Sequence, residues 1–279
     1  MATQEVPRVR QPSGSASPFP ARRREWILRT WTWLVIAYLL APIVVTIAFG
    51  FNDYRPARFN FVWKEFSLIW WRELFADPDL VEAFRNSIIV AAISTVLSTI
   101  LGTMIALALT RFSFRGRAPL NFLIFLPMAT PEVVLGVSLL SLFVTLNFNL
   151  GLMTIIIAHI MFSISYVVVT VKARTSTFDL NLEHAASDLG ASPWTAFWTV
   201  TFPLIFPGIM AGALLAFVLS IDDYVVTTYN SGGVNTFPLW IYGVSRFGTP
   251  GQINVLATII FSLGVIYVVT SLVRNRRAG

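Results

Sequence analysis

The sequence predicts an all-α membrane protein with six transmembrane helices and one helical loop on the cytoplasmic side. Three observations lead there. Apolar residues make up 56% of the 279-residue chain, and apolar runs near 20 residues recur, the length that crosses a hydrocarbon core. Charged residues are only 12%, about half the share of a soluble domain. The basic residues sit mainly beside the apolar runs, where they orient a span. The net charge of +6 therefore needs no nucleic acid to explain it. There is no cysteine, which excludes a disulfide or a cysteine-ligated metal site.

Taken in order, residues 1–25 are rich in Pro, Ser, Arg and Gln and are expected to be a disordered cytoplasmic tail. The six-span domain covers residues 26–273. Arg22, Arg23 and Arg24 precede a first span at about 31–51, which is too long for the apolar part of a cleaved signal peptide. Residues 52–85 are polar with several aromatics, an external cap in which Asp77-Pro78-Asp79 marks a turn and helix start. Trp63, Trp70 and Trp71 suit an interfacial position there. The second span is about 87–110. The third, about 120–146, is interrupted by Pro127 and Pro131. A short turn at Asn147–Gly151 leads to the fourth, about 152–171. The fifth is about 204–226, entered through Pro203 and Pro207. A Gly-rich external segment follows, with a short helix at Pro238–Val244, then the sixth span at about 253–273 and a basic cytoplasmic tail, 274–279.

Charge fixes the orientation. With both termini inside, 14 of the 20 Lys and Arg fall on the inner side, and six (Arg55, Arg58, Lys64, Arg72, Arg85 and Arg246) fall outside. That asymmetry is the one expected of cytoplasmic segments. It also places the segment between spans four and five in the cytoplasm.

That segment, NLEHAASDLGASPWTAFWTVTFPLIFPG at 181–208, reads as two short helices and a turn. Glu183, Ala186 and Gly190 are spaced to share one helical face. Ala185 and Ala186 keep the face narrow. Gly190 allows a tight turn or close backbone approach, and Ser192-Pro193 reads as cap and first residue of a second helix. The structural alternative is an ordinary amphipathic linker. The stretch resembles the cytoplasmic loop of ABC importer permeases, whose pattern is Glu-Ala-Ala, three residues, Gly, nine residues, Ile, one residue, Leu-Pro. Ala185, Ala186, Gly190 and Pro203 keep that spacing. His184 stands at the glutamate position with Glu183 just before it, and Val200 and Phe202 replace Ile and Leu. The resemblance implies that Glu183, His184, Ala185, Ala186, Asp188, Gly190 and Pro203 belong to a knob that docks on a separate ATPase. Either Glu183 or His184 makes its first polar contact.

Three carboxylates lie inside predicted spans. Glu132 is about 12 residues into span three, roughly 18 Å deep, beside Pro131, where proline frees backbone carbonyls. Asp222 and Asp223 lie near the outer end of span five, close to Tyr224. A carboxylate in that setting is expected to face a cavity, a partner subunit or a cation. Carboxylates with aromatic faces suit a cationic amine. Each has a structural alternative: Asp222 as a helix cap or partner of Arg246, Glu132 as a protonated group bonded beside the kink, Tyr224 and Trp240 as interfacial aromatics. His159, in mid-span, reads as a packed polar residue, and two histidines do not make a metal site.

The runs LPMATPEVVLGVSLLSLF, LEHAASDLGAS and LSIDDYVVTTYNSGGVNTFPLWIYG are similar to spermidine/putrescine ABC importer permeases, in particular the second of their two permease subunits. The resemblance spans most of residues 30–273. It implies a substrate pathway through Glu132, Asp222, Asp223, Tyr224 and Trp240. It also implies a related permease as partner in a heterodimer, two ATP-binding subunits, an extracytoplasmic binding protein, and a bacterial inner membrane location. Related permeases for iron, sulfate or organic cations share the scaffold. The chain has no GxxxxGK[ST] phosphate loop, HExxH or GxSxG motif, so it is not expected to be an enzyme or to hold a cofactor of its own; ATP and Mg belong to the partner. A secondary transporter with Glu132 as proton site and a non-transporting scaffold are the other classes to separate.

Overall fold

The computed structural model describes residues 21–53, 62–177, 179, 181–248 and 250–278. The tail at residues 1–20 and the outer Arg55 and Arg58 lie outside the described residues. Every named element is helical.

Helix α1 runs Ala21–Phe49, so the last residues of the expected tail are already helical. The short α2 (Ile69–Arg72) lies in the cap. Helix α3, Pro78–Arg111, begins well before the expected second span because the Asp77 side chain caps it, accepting from Asp79 N–H at 2.9 Å with Pro78 next in line. Proline is pre-shaped for that position and lacks a donor that would go unpaired there. Helices α4 (Arg117–Ala129) and α5 (Glu132–Thr145) form the third span, interrupted as expected. They meet at 109°. Thr130 is extended, its N–H closes α4 on Leu126 O, and Pro131 starts a new direction. Helix α6 is Leu152–Ser176 and α7 Asn181–Asp188.

The fifth expected span is corrected most. Helix α8 (Pro193–Ala196), a π-helical turn at Phe197–Thr201 and α9 (Phe202–Asp222) form one continuous 30-residue helix, Pro193–Asp222. Pro203 and Pro207 lie within it rather than at its entrance. Proline ordinarily collides with the carbonyl four residues back; the wider π turn just before Pro203, where Phe202 N–H reaches Phe197 O, gives that carbonyl room. Helices α10 (Val225–Asn230), α11 (Phe237–Ser245) and α12 (Gly251–Ala278) complete the chain. The expected external helix is thus present as α11, and the expected basic tail continues α12.

Among the described residues, four helices are long and apolar enough to cross a membrane: Glu25–Phe49, Pro78–Arg111, Leu152–Ser176 and Pro193–Asp222. The bent α4–α5 pair makes a fifth if taken as one span, and the apolar part of α12, Gly251–Ile266, is shorter. The fold is an all-α multi-pass membrane fold, with four or five long spans in place of six clear ones.

Helices α3, α6 and α9 form the centre, meeting at fully buried Val167. A Cβ on Gly102 of α3 would lie 2.7 Å from Val167 Cγ1, and one on Gly212 of α9 would lie 3.4 Å from Val167 Cα. The small residues let three backbones converge, as in other membrane bundles. A second cluster joins Trp70, Leu74, Leu80, Ala83, Trp240, Val255 and Leu256. It corrects the interfacial placement of Trp70, which is buried and donates its ring N–H to Asn52 O at 3.0 Å; Trp63 remains exposed.

Candidate functional site

The bend between α4 and α5 opens a cavity of about 260 Å³ against the end of α9. Glu132, Asp222, Asp223 and Tyr224 all line it, with Pro127, Thr130, Phe162 and Tyr166. The fold therefore joins carboxylates separated by ninety positions in sequence. Trp240 is the exception among the expected pathway residues. It is 4% exposed in the second core cluster and does not line this cavity.

Local structure explains how the carboxylates are held. Glu132 is the first residue of α5, where free amide groups and the helix dipole favour a negative charge. Asp223 follows the last residue of α9, and its side chain caps the next helix. Its Oδ2 accepts from Thr227 N–H and Thr227 O–H, each at 2.8 Å, and its Oδ1 from Val226 N–H at 3.4 Å. Asp222 is exposed in the single chain and, among the described residues, forms no ion pair with Arg246. Arg246 instead lies over the Tyr242 ring, 4.7 Å from its centre, and that ring packs on Tyr224 with centres 4.5 Å apart. Helix α10 is braced on α5: a Cβ on Gly136 would come within 2.8 Å of Tyr229, and Asn230 donates to Gly136 O at 3.2 Å.

His159 is the packed polar residue expected, with partners that the sequence did not identify. It is 1% exposed, and both ring nitrogens have partners: Ser220 Oγ at 2.7 Å and Thr227 Oγ1 at 2.9 Å. It is indeed packed, yet packed against the back of the cavity wall. The only sequence sign was a histidine in mid-span, where ionisable groups are uncommon.

At the other end of the bundle, α7 and the turn after it form a knob. Glu183 turns inward and pairs with Arg111, the last residue of α3, while Thr201 of the π turn bonds both. His184 remains exposed, as do Ala185, Asp188 and Gly190. Of the two candidates for the first polar contact, Glu183 is therefore engaged within this chain. Gly190 has φ +86° and nothing within 4 Å of an added Cβ; the turn, rather than a close approach, requires it. Ala191 N–H bonds Ala186 O at 3.0 Å and Gly190 N–H bonds Ser187 O at 2.9 Å, the paired bonds of a left-handed helix stop. Ser192 caps α8, accepting from Thr195 N–H at 3.2 Å. Pro203 lies in α9 just beyond the π turn. Leu189 and Trp194 are 90% and 71% exposed, an apolar face on an otherwise polar knob.

Residues 98–277 match the family described as the binding-protein-dependent transport system inner membrane component. The spermidine/putrescine transport system permease protein PotC of Haemophilus influenzae is 35% identical over 255 residues, 91% of this chain and 98% of that protein. The putrescine transport system permease protein PotI of Escherichia coli is 38% identical over 244 residues, 85% of each chain. Among solved structures, a bacterial ABC transporter involved in the import of the acidic polysaccharide alginate superposes with a TM-score of 0.65 at 17% identity, over 93% of this chain and 99% of that one. A match over most of the chain, relatives above 30% identity along nearly their whole length, and the shared fold agree with the knob and its spacing. The chain belongs to the inner membrane components of binding-protein-dependent transport systems, the permease subunits of ABC importers.

Proposed function

We propose that this permease carries polyamines of the spermidine and putrescine kind inward across a bacterial inner membrane. The observation that carries the reading is the cavity where Glu132, Asp222 and Asp223 meet tyrosine faces. Several carboxylates at one site suit a flexible chain bearing several ammonium groups, and the aromatic walls add cation–π attraction. An acidic lining opposes sulfate. The names of the similar permeases point the same way.

The assembly follows from the same reading. Six spans place both termini in the cytoplasm, with α4–α5 as the broken third and α12 as the sixth. A related second permease completes the pathway, and an extracytoplasmic binding protein delivers substrate. Two ATP-binding subunits supply ATP and Mg, and the exposed face of His184, Ala185, Asp188, Leu189 and Trp194 receives them. The chain performs no chemistry itself; it turns the ATPase's motion into alternating access. Family membership removes the secondary-transporter and scaffold alternatives.

The test is ATP-dependent uptake of labelled spermidine by the assembled transporter in proteoliposomes, with putrescine, ferric iron and sulfate as competitors. Spermidine should accumulate only with ATP, and putrescine alone should compete. Competition by iron or sulfate, with none from putrescine, would overturn the substrate assignment.

A further inference from the structure

Behind the cavity wall, five polar side chains from α3, α6, α9, the α9–α10 junction and α10 form one chain of contacts. Ser94 and Ser220 hydroxyls are 3.0 Å apart. Ser220 Oγ is 2.7 Å from His159 Nδ1. His159 Nε2 is 2.9 Å from Thr227 Oγ1 and 3.4 Å from Asp223 Oδ2. Buried polar groups are costly unless each is bonded, so the donors can be counted. Thr227 has one hydroxyl proton and gives it to Asp223. Its oxygen must therefore receive from His159, which places the imidazole proton on Nε2. Nδ1 of the neutral ring then accepts from Ser220, while the Ser94 hydroxyl has both Ser220 Oγ and Ala91 O within reach. From Ser220 through His159 and Thr227 the bonds run one way and end on the carboxylate, so each polarises the next.

The effect falls on Asp223. Its Oδ2 is held by Thr227 twice and faces His159, whereas Oδ1 has a single long bond from Val226 N–H. One oxygen is fixed by the protein. The other is left for whatever enters the cavity that Asp223 lines. We propose that His159 is a positioning residue for the cation site: with Ser94, Ser220 and Thr227 it fixes the Asp223 carboxylate, and so sets how tightly a substrate ammonium group is held. The inference rests on the reading of this cavity as an ammonium site, but assigns the affinity to a residue that never touches substrate.

The experiment is equilibrium binding of labelled spermidine to the purified complex of this chain with its second permease and ATPase subunits, without the binding protein. His159→Ala should weaken binding about tenfold, near the upper end of what one lost hydrogen bond costs, because Thr227 loses the donor that orients its hydroxyl on Asp223, with the number of sites unchanged. His159→Gln keeps an N–H donor and should recover to within about threefold of the parent. In an Asp223→Asn background, His159→Ala should add nothing. Thr227→Val breaks the same link from the other side, and should reproduce the loss even if His159→Ala fails to assemble. Unchanged affinity in His159→Ala, fewer sites at the parent affinity, or a Gln variant no better than Ala would overturn the proposal. If Asp222→Asn weakens binding and His159→Ala does not, the His159 inference alone falls. If the parent complex binds no spermidine, the ammonium reading falls and takes this inference with it.

Discussion

Arg111 closes α3 and Glu183 lies in the first turn of α7, and the two side chains pair at the base of the bundle with Thr201 as a third member. Both are partly exposed, at 22%, so the pair contributes only about 0.5 kcal/mol to stability. Its value is positional, since it ties the knob to the bundle centre. Arg111→Ala and Glu183→Ala should each leave the melting temperature within about 2 °C of the parent while uptake per ATP hydrolysed falls several-fold. Exchanging the two charges should restore part of it. Full coupling in both single variants, from paired ATPase and uptake assays, would refute the tie.

Gly190 needs its left-handed backbone and has open space around it. Substitution should therefore follow backbone preference rather than size. Asn tolerates this region better than Ala, and β-branched Val tolerates it least. Transport coupling should decline in the order Gly, Asn, Ala, Val, with Gly190→Ala costing the turn about 1 kcal/mol. A decline that instead tracks side-chain volume would show that the surroundings, not φ, govern the site.

Gly102 meets Val167 where α3 crosses α6. Gly102→Ala should destabilise the solubilised protein by about 1–3 kcal/mol, the usual effect of an overfilled contact. Val167→Ala in the same chain removes Cγ1 at 2.7 Å but leaves Cβ at 2.8 Å and Ile164 O at 3.3 Å, so it should recover only part of the loss. Thermal unfolding of the four variants measures this; strict additivity would contradict the crossing.

The neighbouring aspartates should separate by experiment. Asp223→Ala removes the cap of α10 and should lower stability by about 1 kcal/mol as well as impair uptake. Asp222→Asn and Glu132→Gln should impair spermidine uptake without altering the melting temperature. Equal destabilisation by all three would argue that none is free for a ligand.

Arg246 draws the Tyr242 phenol below the ordinary tyrosine range, first through a hydrogen bond, then through its charge, with a smaller contribution from Tyr224. A depressed phenol favours its ionised form in the folded protein. Its contribution is therefore present above the usual value of about 10 and is lost as pH falls through the folded value, leaving none at neutral pH. Arg246→Gln should move Tyr242 back up, read as the phenolate absorbance difference from Tyr242→Phe. A titration unchanged by the substitution would dissolve the pairing.

Much of this was legible in the chain. The Gly190 turn, the Ser192 cap, the Asp77 helix start and α11 are local features whose residues carry their own backbone preferences. Prolines were the least reliable guide. Pro131 does redirect the chain, since an extended Thr130 precedes it, whereas Pro203 and Pro207 remain within a helix because a π turn absorbs the first of them. The joining of Glu132 with Asp222 depends on a 109° bend whose size no local pattern encodes. The partners of His159 stayed obscure because they come from helices far away in sequence, and the burial of Trp240 was not legible because an aromatic in a short external helix looks the same whether it lines a pathway or fills a cluster.

The unbroken helix from Pro193 to Asp222 makes one rod of the knob and the cavity wall. At 1.5 Å per residue its 30 residues span roughly 45 Å. Swung about Trp194 by some 5°, such a lever arm carries Asp222 through about 4 Å, more than the length of a hydrogen bond. If an ammonium group sits at Asp222 as proposed, a modest shove at one end of the rod would be enough, by leverage alone, to release it at the other.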